Sequence, residues 1–280
     1  MKIELKPILE LVRFYDPLEI SLLLWPTLWA LWIAAQGFPS WRVLIVFILG
    51  GILAYSAITI FNDIADRKYD GNEKPINHKE LITDIISIKF AWLLCVLLFF
   101  CVFGLALLLN WLTVFMAGVG LLLIIIYPFS KRLTHWSGLF LGMATASGVP
   151  IAFAAQTGEV PILCWLLTLI AVIWPMIYDT TCSIVDKEDD IKSTAILFSE
   201  NLRLFLTILQ LLMIFLLIIL GIFGGLGIPY YLGLLMTCGL FYYQYKLIET
   251  HLPENCLKSY KNNNWIGGIL FIGIVVSFIF

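Results

Sequence analysis

Nine apolar runs constrain this chain more than any other feature, because each approaches the roughly 20 residues that an α-helix needs to cross a bilayer. Only 13% of the residues are charged and 61% are hydrophobic, which excludes the soluble globular class. We therefore predict an all-α, polytopic membrane protein with about nine transmembrane helices. The predicted spans are residues 18–37, 41–61, 90–109, 111–129, 137–155, 161–178, 204–223, 229–246 and 264–280.

Charge is distributed unevenly over the loops between these spans. Lys and Arg collect on the cytoplasmic side of membrane proteins. A cytoplasmic N-terminus places every one of the 17 Lys and Arg residues except Arg42 on that side, together with every acid except Glu159. The N-terminus resembles neither a cleaved signal peptide nor an Arg-rich, acid-poor leader. We expect the first span to be retained and the protein to lie in a bacterial inner membrane.

Two acidic stretches, residues 62–70 and 178–190, follow the second and sixth spans. At about 100° per residue, each stretch places three aspartates within about 60° of one another on a helix. These are Asp63, Asp66 and Asp70 in the first stretch, and Asp179, Asp186 and Asp190 in the second. Both stretches face the cytoplasm in the predicted topology.

Carboxylates beside a membrane are costly to desolvate, so two such clusters indicate a bound cation. Mg²⁺ prefers oxygen ligands and is usually held by one or two carboxylates together with substrate phosphates. Two facing clusters are therefore suited to a magnesium-diphosphate site. The alternative is that the acids cap helices and pair with Lys and Arg in solvated loops, which is the simpler reading for one cluster. Nearby cations could meet the remaining phosphate charge; they are Arg67, Lys68, Lys131 and Arg132.

Short motifs in a fixed order run through nearly the whole chain. They occupy residues 24–32, 62–71, 127–132, 149–155, 178–180, 185–190, 192–198 and 262–264. Through them the sequence resembles the UbiA-type membrane aromatic prenyltransferases, most closely the 4-hydroxybenzoate polyprenyltransferases of ubiquinone biosynthesis. The resemblance implies one domain over residues 1–280, with helices around a central cavity, a lateral opening to lipid, and cytoplasmic cap loops at about 62–89 and 179–203.

The same resemblance implies an activity: Mg²⁺-dependent transfer of a polyprenyl group from polyprenyl diphosphate to the ring carbon beside the phenol of 4-hydroxybenzoate. Asp179, Asp66 and Asp186 would be the catalytic residues, and Asp179 would take the phenol proton. Metal ligands and diphosphate contacts also follow from the matching motifs. The metal set is Asp63, Asp66, Asp70, Asp186 and Asp190, and the diphosphate set is Asn62, Arg67, Tyr127 and Lys131.

The chain departs from the family pattern ahead of the first acidic stretch and in two shortened cytoplasmic loops. Tyr55 stands where the family usually carries Arg, and Ile58 where it carries Gly. A prenyltransferase for another aromatic or quinone precursor, or a catalytically impaired relative, therefore stays open. Membrane phosphotransferases of phospholipid synthesis place their acids in one continuous stretch, unlike this chain. A cation transporter would require ionisable groups near the middle of the spans.

Overall fold

The computed structural model describes residues 5–13, 17–67, 86–182, 194–250 and 252–280, and its regular elements there are all helices. The N-terminal half contains α1 Leu5–Leu11, α2 Pro17–Ala35, α3 Trp41–Arg67, α4 Ile88–Leu107, α5 Trp111–Leu133, α6 Ser137–Ala146 and α7 Gly148–Thr157. The C-terminal half contains α8 Ile162–Cys182, α9 Thr194–Leu197, a 3₁₀ turn Ser199–Asn201, α10 Leu202–Phe223, α11 Ile228–Ile248 and α12 Pro253–Ser277.

Seven of the predicted spans are confirmed by length and composition among the described residues, with α6 and α7 together forming one of them. The last two predicted spans are helical and long enough to cross a bilayer, but α11 and α12 are more polar than the other seven. Tyrosines and glutamine lower the hydropathy of α11, and α12 begins at Pro253, before the predicted start of its span at residue 264. Nine spans were predicted. Seven of them are apolar helices, and the other two, α11 and α12, are helices of higher polarity.

The acidic stretches begin inside helices rather than in loops. Helix α3 continues to Arg67, and α8 continues to Cys182. The residues 62–67 and 179–182, which the sequence places in cap loops, are thus the last turns of these two helices. Asn62 and Asp179 therefore lie on regular helical backbone, which fixes the direction of each Cα–Cβ bond.

Helix boundaries follow local chemistry. Ser87 caps α4 by accepting a hydrogen bond from the Phe90 amide, and Asn110 caps α5 by accepting one from the Thr113 amide at 2.9 Å. Such caps satisfy amides that the first helical turn leaves without partners. Helix α7 begins at Gly148, directly after α6, because Pro150 has no N–H to donate to the Ala146 carbonyl.

The largest core cluster joins α2, α7, α8, α10, α11 and α12. Trp29 and Trp174 stack at its centre, with ring centroids 5.1 Å apart, and both side chains are almost fully buried. Close backbone contacts tighten this region. A Cβ on Gly142 of α6 would lie 2.2 Å from the Val172 carbonyl of α8, so the two helices pack at a distance that only glycine permits here.

Three consecutive asparagines on α12 connect that helix to three others. Asn262 donates to the Leu240 carbonyl of α11. The Asn263 side-chain oxygen accepts from Trp174 Nε1 of α8 at 3.0 Å. Asn264 accepts from two α2 groups, Ser21 Oγ at 2.6 Å and Trp25 Nε1 at 2.7 Å. The motif at 262–264 therefore fixes α12 against α2, α8 and α11, and α8 is the helix on which the second acidic stretch begins.

Candidate active site at the polar ends of α3, α5 and α8

The last two turns of α3 carry residues of both predicted sets. Asn62 of the diphosphate set lies on this helix with Asp63 and Asp66 of the metal set, whereas Asp70 lies outside the described residues. The Asn62 Oδ1 atom is buried and has no hydrogen-bond partner within the described part of the chain. A buried amide oxygen without a partner is costly, so this atom is available to a ligand or a metal ion.

Asp63 of the same turn is engaged by a residue far away in sequence. An ion pair of 3.2 Å joins Arg13 Nη2 to Asp63 Oδ1, and the Asp63 side chain is only 12% exposed. Arg13 follows α1 and has a left-handed backbone conformation, with φ 49°. A hydrogen bond from the Ser56 hydroxyl to the Val12 carbonyl, 2.9 Å long, holds the same segment.

Tyr55 also contacts Arg13. Burial would lower the pKa of the Arg13 guanidinium, but the Asp63 carboxylate and the Tyr55 hydroxyl outweigh it and raise the pKa. The guanidinium is thus a permanent positive charge beside the first acidic stretch. Sequence analysis did not anticipate this contact, because 50 residues separate Arg13 from Asp63.

Helix α5 brings the predicted diphosphate contacts to the same end of the bundle. Tyr127 is buried, and Lys131 lies in the last turns of the helix. Arg132 Nη2 donates to the Ala65 carbonyl of α3 at 3.3 Å. Because this contact joins the polar ends of α3 and α5, the structure brings together the parts of the chain that carry Asn62, Asp66, Arg67, Tyr127 and Lys131.

Asp179 lies in the last turns of α8, against the start of α6. A Cβ on Gly138 would lie 3.1 Å from Asp179 Oδ2 and 3.3 Å from Thr194 Oγ1. Thr194 is 1% exposed, and its hydroxyl has no partner among the described residues. Gly138 and Thr194 are neighbours of Asp179 that sequence analysis missed, because each lies in a different segment.

Asp186 and Asp190 lie outside the described residues. Their segment lies between the end of α8, which carries Asp179, and Thr194. Asp179 and Thr194 are both beside Gly138. Within the described residues no group of three or more His, Cys, Asp and Glu side chains forms a metal site. The Asn62 amide oxygen, however, is buried, without a partner, and of the ligand type that Mg²⁺ prefers, so the residues present fit that ion.

An apolar cavity begins one helical turn below Asn62. It lies among α2, α3, α4, α5, α6 and α7, is partly open, and has a volume of about 160 Å³. Ile58 and Ile124 line the end nearest the polar site, while Leu109 and Thr113 line the far end. The 25 lining residues include no ionisable side chain. The polar ends of α3 and α5 therefore stand over a compartment suited to hydrocarbon.

The family model that matches this chain is the UbiA prenyltransferase family, over residues 23–274. A 4-hydroxybenzoate octaprenyltransferase of Coxiella burnetii (strain Dugway 5J108-111) is 44% identical over 274 residues, covering 96% of each chain. A protein of the same name from Aliivibrio fischeri is 44% identical over 272 residues, covering 96% of this chain and 95% of its own.

Solved structures show the same fold at lower identity. A UbiA homolog from Aeropyrum pernix K1 aligns with a TM-score of 0.77 at 20% identity, over 91% of this chain and 97% of its own. A UbiA homolog from Archaeoglobus fulgidus bound to GPP and Mg²⁺ aligns with a TM-score of 0.72 at 16% identity, over 96% and 99%. The all-helical membrane fold and the family resemblance are both confirmed, and this chain belongs to the UbiA prenyltransferase family.

Proposed function

We propose that this protein transfers a polyprenyl group from polyprenyl diphosphate to 4-hydroxybenzoate, at the ring carbon beside the phenol, as a step of ubiquinone biosynthesis. The observation that carries the proposal is the position of the polar ends of α3 and α5 directly over an uncharged cavity. A substrate with a charged head and a long hydrocarbon tail matches both compartments. The high identity to octaprenyltransferases over the full chain supports the same substrate class.

The diphosphate head would lie at the ends of α3, α5 and α8. Asn62, Asp66, Asp70, Asp186 and Asp190 would hold Mg²⁺, which neutralises the leaving group and aids cleavage of the C–O bond. Arg67, Tyr127 and Lys131 would contact the diphosphate. Asp63 belongs to the same proposed set, but its pairing with Arg13 means that it would ligate a metal only when that ion pair opens.

Asp179 is the proposed base. As the ring carbon attacks the prenyl carbon, one C–O bond breaks, one C–C bond forms and diphosphate leaves. A carboxylate that accepts the phenol proton increases the electron density of the ring, and the ring hydrogen is lost afterwards as the aromatic system is restored. The Asp179 carboxylate lies beside Gly138 and Thr194, where the start of α6 packs against the end of α8. This position is suited to the proposed role.

A different aromatic acceptor is the second candidate, because Tyr55 replaces the arginine expected there. The contact between Arg13 and Tyr55 weighs against it, since it restores a positive charge near that position and a carboxylate acceptor requires one. A cation transporter is disfavoured, since the cavity lining carries no ionisable group. The protein would act at the cytoplasmic face of a bacterial inner membrane.

The test uses the purified protein in detergent or lipid nanodiscs with Mg²⁺, labelled octaprenyl diphosphate and 4-hydroxybenzoate. We expect a labelled lipid-soluble adduct, which disappears with EDTA and falls at least 100-fold in Asp66→Ala. Glu159→Ala, an acid at the opposite end of the bundle, is the matched control and should retain activity.

Two negative results have different meanings. Binding of the diphosphate without adduct formation would contradict 4-hydroxybenzoate as the acceptor and direct the search to other aromatic compounds. Absence of diphosphate binding by the folded protein would contradict the transferase itself. Asp179→Asn should lower turnover more than diphosphate binding, and a selective loss of binding would contradict its role as the base.

A further inference from the structure

The cavity extends well beyond the reach of a short prenyl chain. Gly50 lines it and precedes Asn62 on α3 by twelve residues, which corresponds to about 18 Å along a helix. A geranyl group has eight main-chain carbons and extends at most about 10 Å with bonds near 1.5 Å. An octaprenyl group is four times as long. Only the longer chain, bound with its diphosphate at Asn62, has to pass Gly50.

Four glycines line the cavity within the described residues, and they differ in the space around them. A Cβ on Gly51 would lie 2.3 Å from Leu24 Cδ2, and one on Gly148 would lie 2.4 Å from Thr27 Oγ1. A Cβ on Gly120 would lie 2.9 Å from Ser147 Oγ. A side chain at any of these three positions would therefore require a neighbouring side chain to shift.

Gly50 is different because packing does not require it. A Cβ there would meet only Leu105 Cδ1 of α4, at the ordinary contact distance of 3.8 Å. A side chain would thus fit the backbone and occupy cavity space between α3 and α4. Gly in the middle of a helix is also less favourable than Ala or Leu, so helix propensity gives no reason for glycine at this position.

We propose that Gly50 determines the length of prenyl chain that the protein accepts. The missing side chain keeps the passage beside Leu105 open, and the isoprene units beyond the third or fourth pass through it. The inference rests on the proposed function, because it takes the cavity as the site of the prenyl tail. It adds the residue that separates short from long substrates.

The test compares Gly50→Leu with Gly104→Leu. Gly104 on α4 has nothing within 4 Å of its Cβ position. It lines a neighbouring groove that shares Leu105 with the cavity, but it does not line the cavity itself, so Gly104→Leu adds the same side chain next to the proposed passage rather than in it. We expect Gly50→Leu to weaken binding of octaprenyl thiolodiphosphate, an unreactive analogue, at least 10-fold, with geranyl thiolodiphosphate changed less than 2-fold. Gly104→Leu should change neither, and Gly50→Ala should show an intermediate loss.

Transfer assays with both substrates provide the second measurement. A selective fall in kcat/KM for octaprenyl diphosphate in Gly50→Leu supports the proposal. An equal loss for both chain lengths, or no loss for either, overturns it. Wild-type protein that forms the octaprenyl adduct establishes the proposed function whatever the variants do, so failure of the two proposals can be told apart.

Discussion

The two sides of the bundle are built differently. On the side of α8 and α12, 56% of the α8 span is buried, and polar side chains connect the helices through Trp174, Asn263 and Asn264. On the side of α4 and α5, only 17% of the α4 span is buried, and the helices border an open cavity. The first side gives the site its fixed geometry, and the second leaves space for a substrate tail.

The physical reason for the difference lies in what holds helices together in lipid. Association depends on close van der Waals contact and interhelical hydrogen bonds, because lipid is as apolar as the side chains themselves. Gly142 against Val172 and the Asn262–Asn264 contacts supply both on the first side. Around the cavity, leucine, isoleucine and phenylalanine lie among glycines and alanines, and such apolar residues can face lipid, protein or a prenyl chain at similar cost.

The largest expected effect is a difference in the free energy of unfolding between two leucine substitutions, one on each side of the bundle. Leu167 on α8 is fully buried, so Leu167→Ala should lower the free energy of unfolding by about 2–5 kcal/mol. Leu121 on α5 already borders the cavity, so Leu121→Ala should cost less than about 1.5 kcal/mol. Unfolding in mixed micelles measures both, and equal losses would contradict the proposed difference between the two sides.

A smaller effect is expected from the asparagine contacts. Asn263→Leu leaves Trp174 Nε1 buried without its acceptor, which should cost about 1–3 kcal/mol. Trp174→Phe removes that donor, so Asn263→Leu in the Trp174→Phe background should cost less. A double-mutant cycle in mixed micelles gives the coupling free energy between the two side chains. A coupling of zero would show that the hydrogen bond does not stabilise the α8–α12 contact.

The smallest effect is expected at the N-terminal segment. Arg13 is 40% exposed, so Arg13→Gln should lower global stability by less than about 1 kcal/mol. It should nevertheless increase amide exchange over residues 5–13, since the ion pair with Asp63 helps to hold α1 on α3. Arg42→Gln is the matched control, because Arg42 contacts the Leu108 carbonyl at the opposite end of α3. Unchanged exchange in Arg13→Gln would mean that packing of Leu11 and the Ser56–Val12 hydrogen bond hold α1 without the ion pair.

Much of the architecture could be predicted from local sequence. Apolar length predicted the seven spans that are long enough and apolar enough to cross a bilayer. The helical spacing of the aspartates assumed a helix, and the structure shows that Asp63 and Asp66 do lie on one, at the end of α3. The polarity of α11 and α12 was less visible, because a short apolar run does not reveal how far its helix continues into a polar segment. Pro253 begins α12 eleven residues before the predicted span, and this extension carries all but the last of the three asparagines.

The candidate site was only partly predictable. Asn62, Tyr127 and Asp179 were identified as motif residues. Helices α3 and α5 meet at the contact between Arg132 and Ala65, whereas Asp179 lies against α6. Arg13 beside Asp63, and Gly138 with Thr194 beside Asp179, could not be anticipated, because each pair is distant in sequence and no local pattern records it. Asp70, Asp186 and Asp190 remain predictions, since they lie outside the described residues.

The sequence by itself determined that this chain is an all-helical membrane protein with two acidic stretches and the motifs of its family. These properties depend on hydropathy, helical periodicity and residue type, which are local. The tertiary structure alone decided that Asp63 is paired, that Asn62 Oδ1 has no partner among the described residues, and that Gly50 faces free space while Gly51 does not. Those outcomes depend on which helix packs beside which, and in a uniformly apolar chain that choice is made by a few close contacts and buried hydrogen bonds rather than by hydropathy.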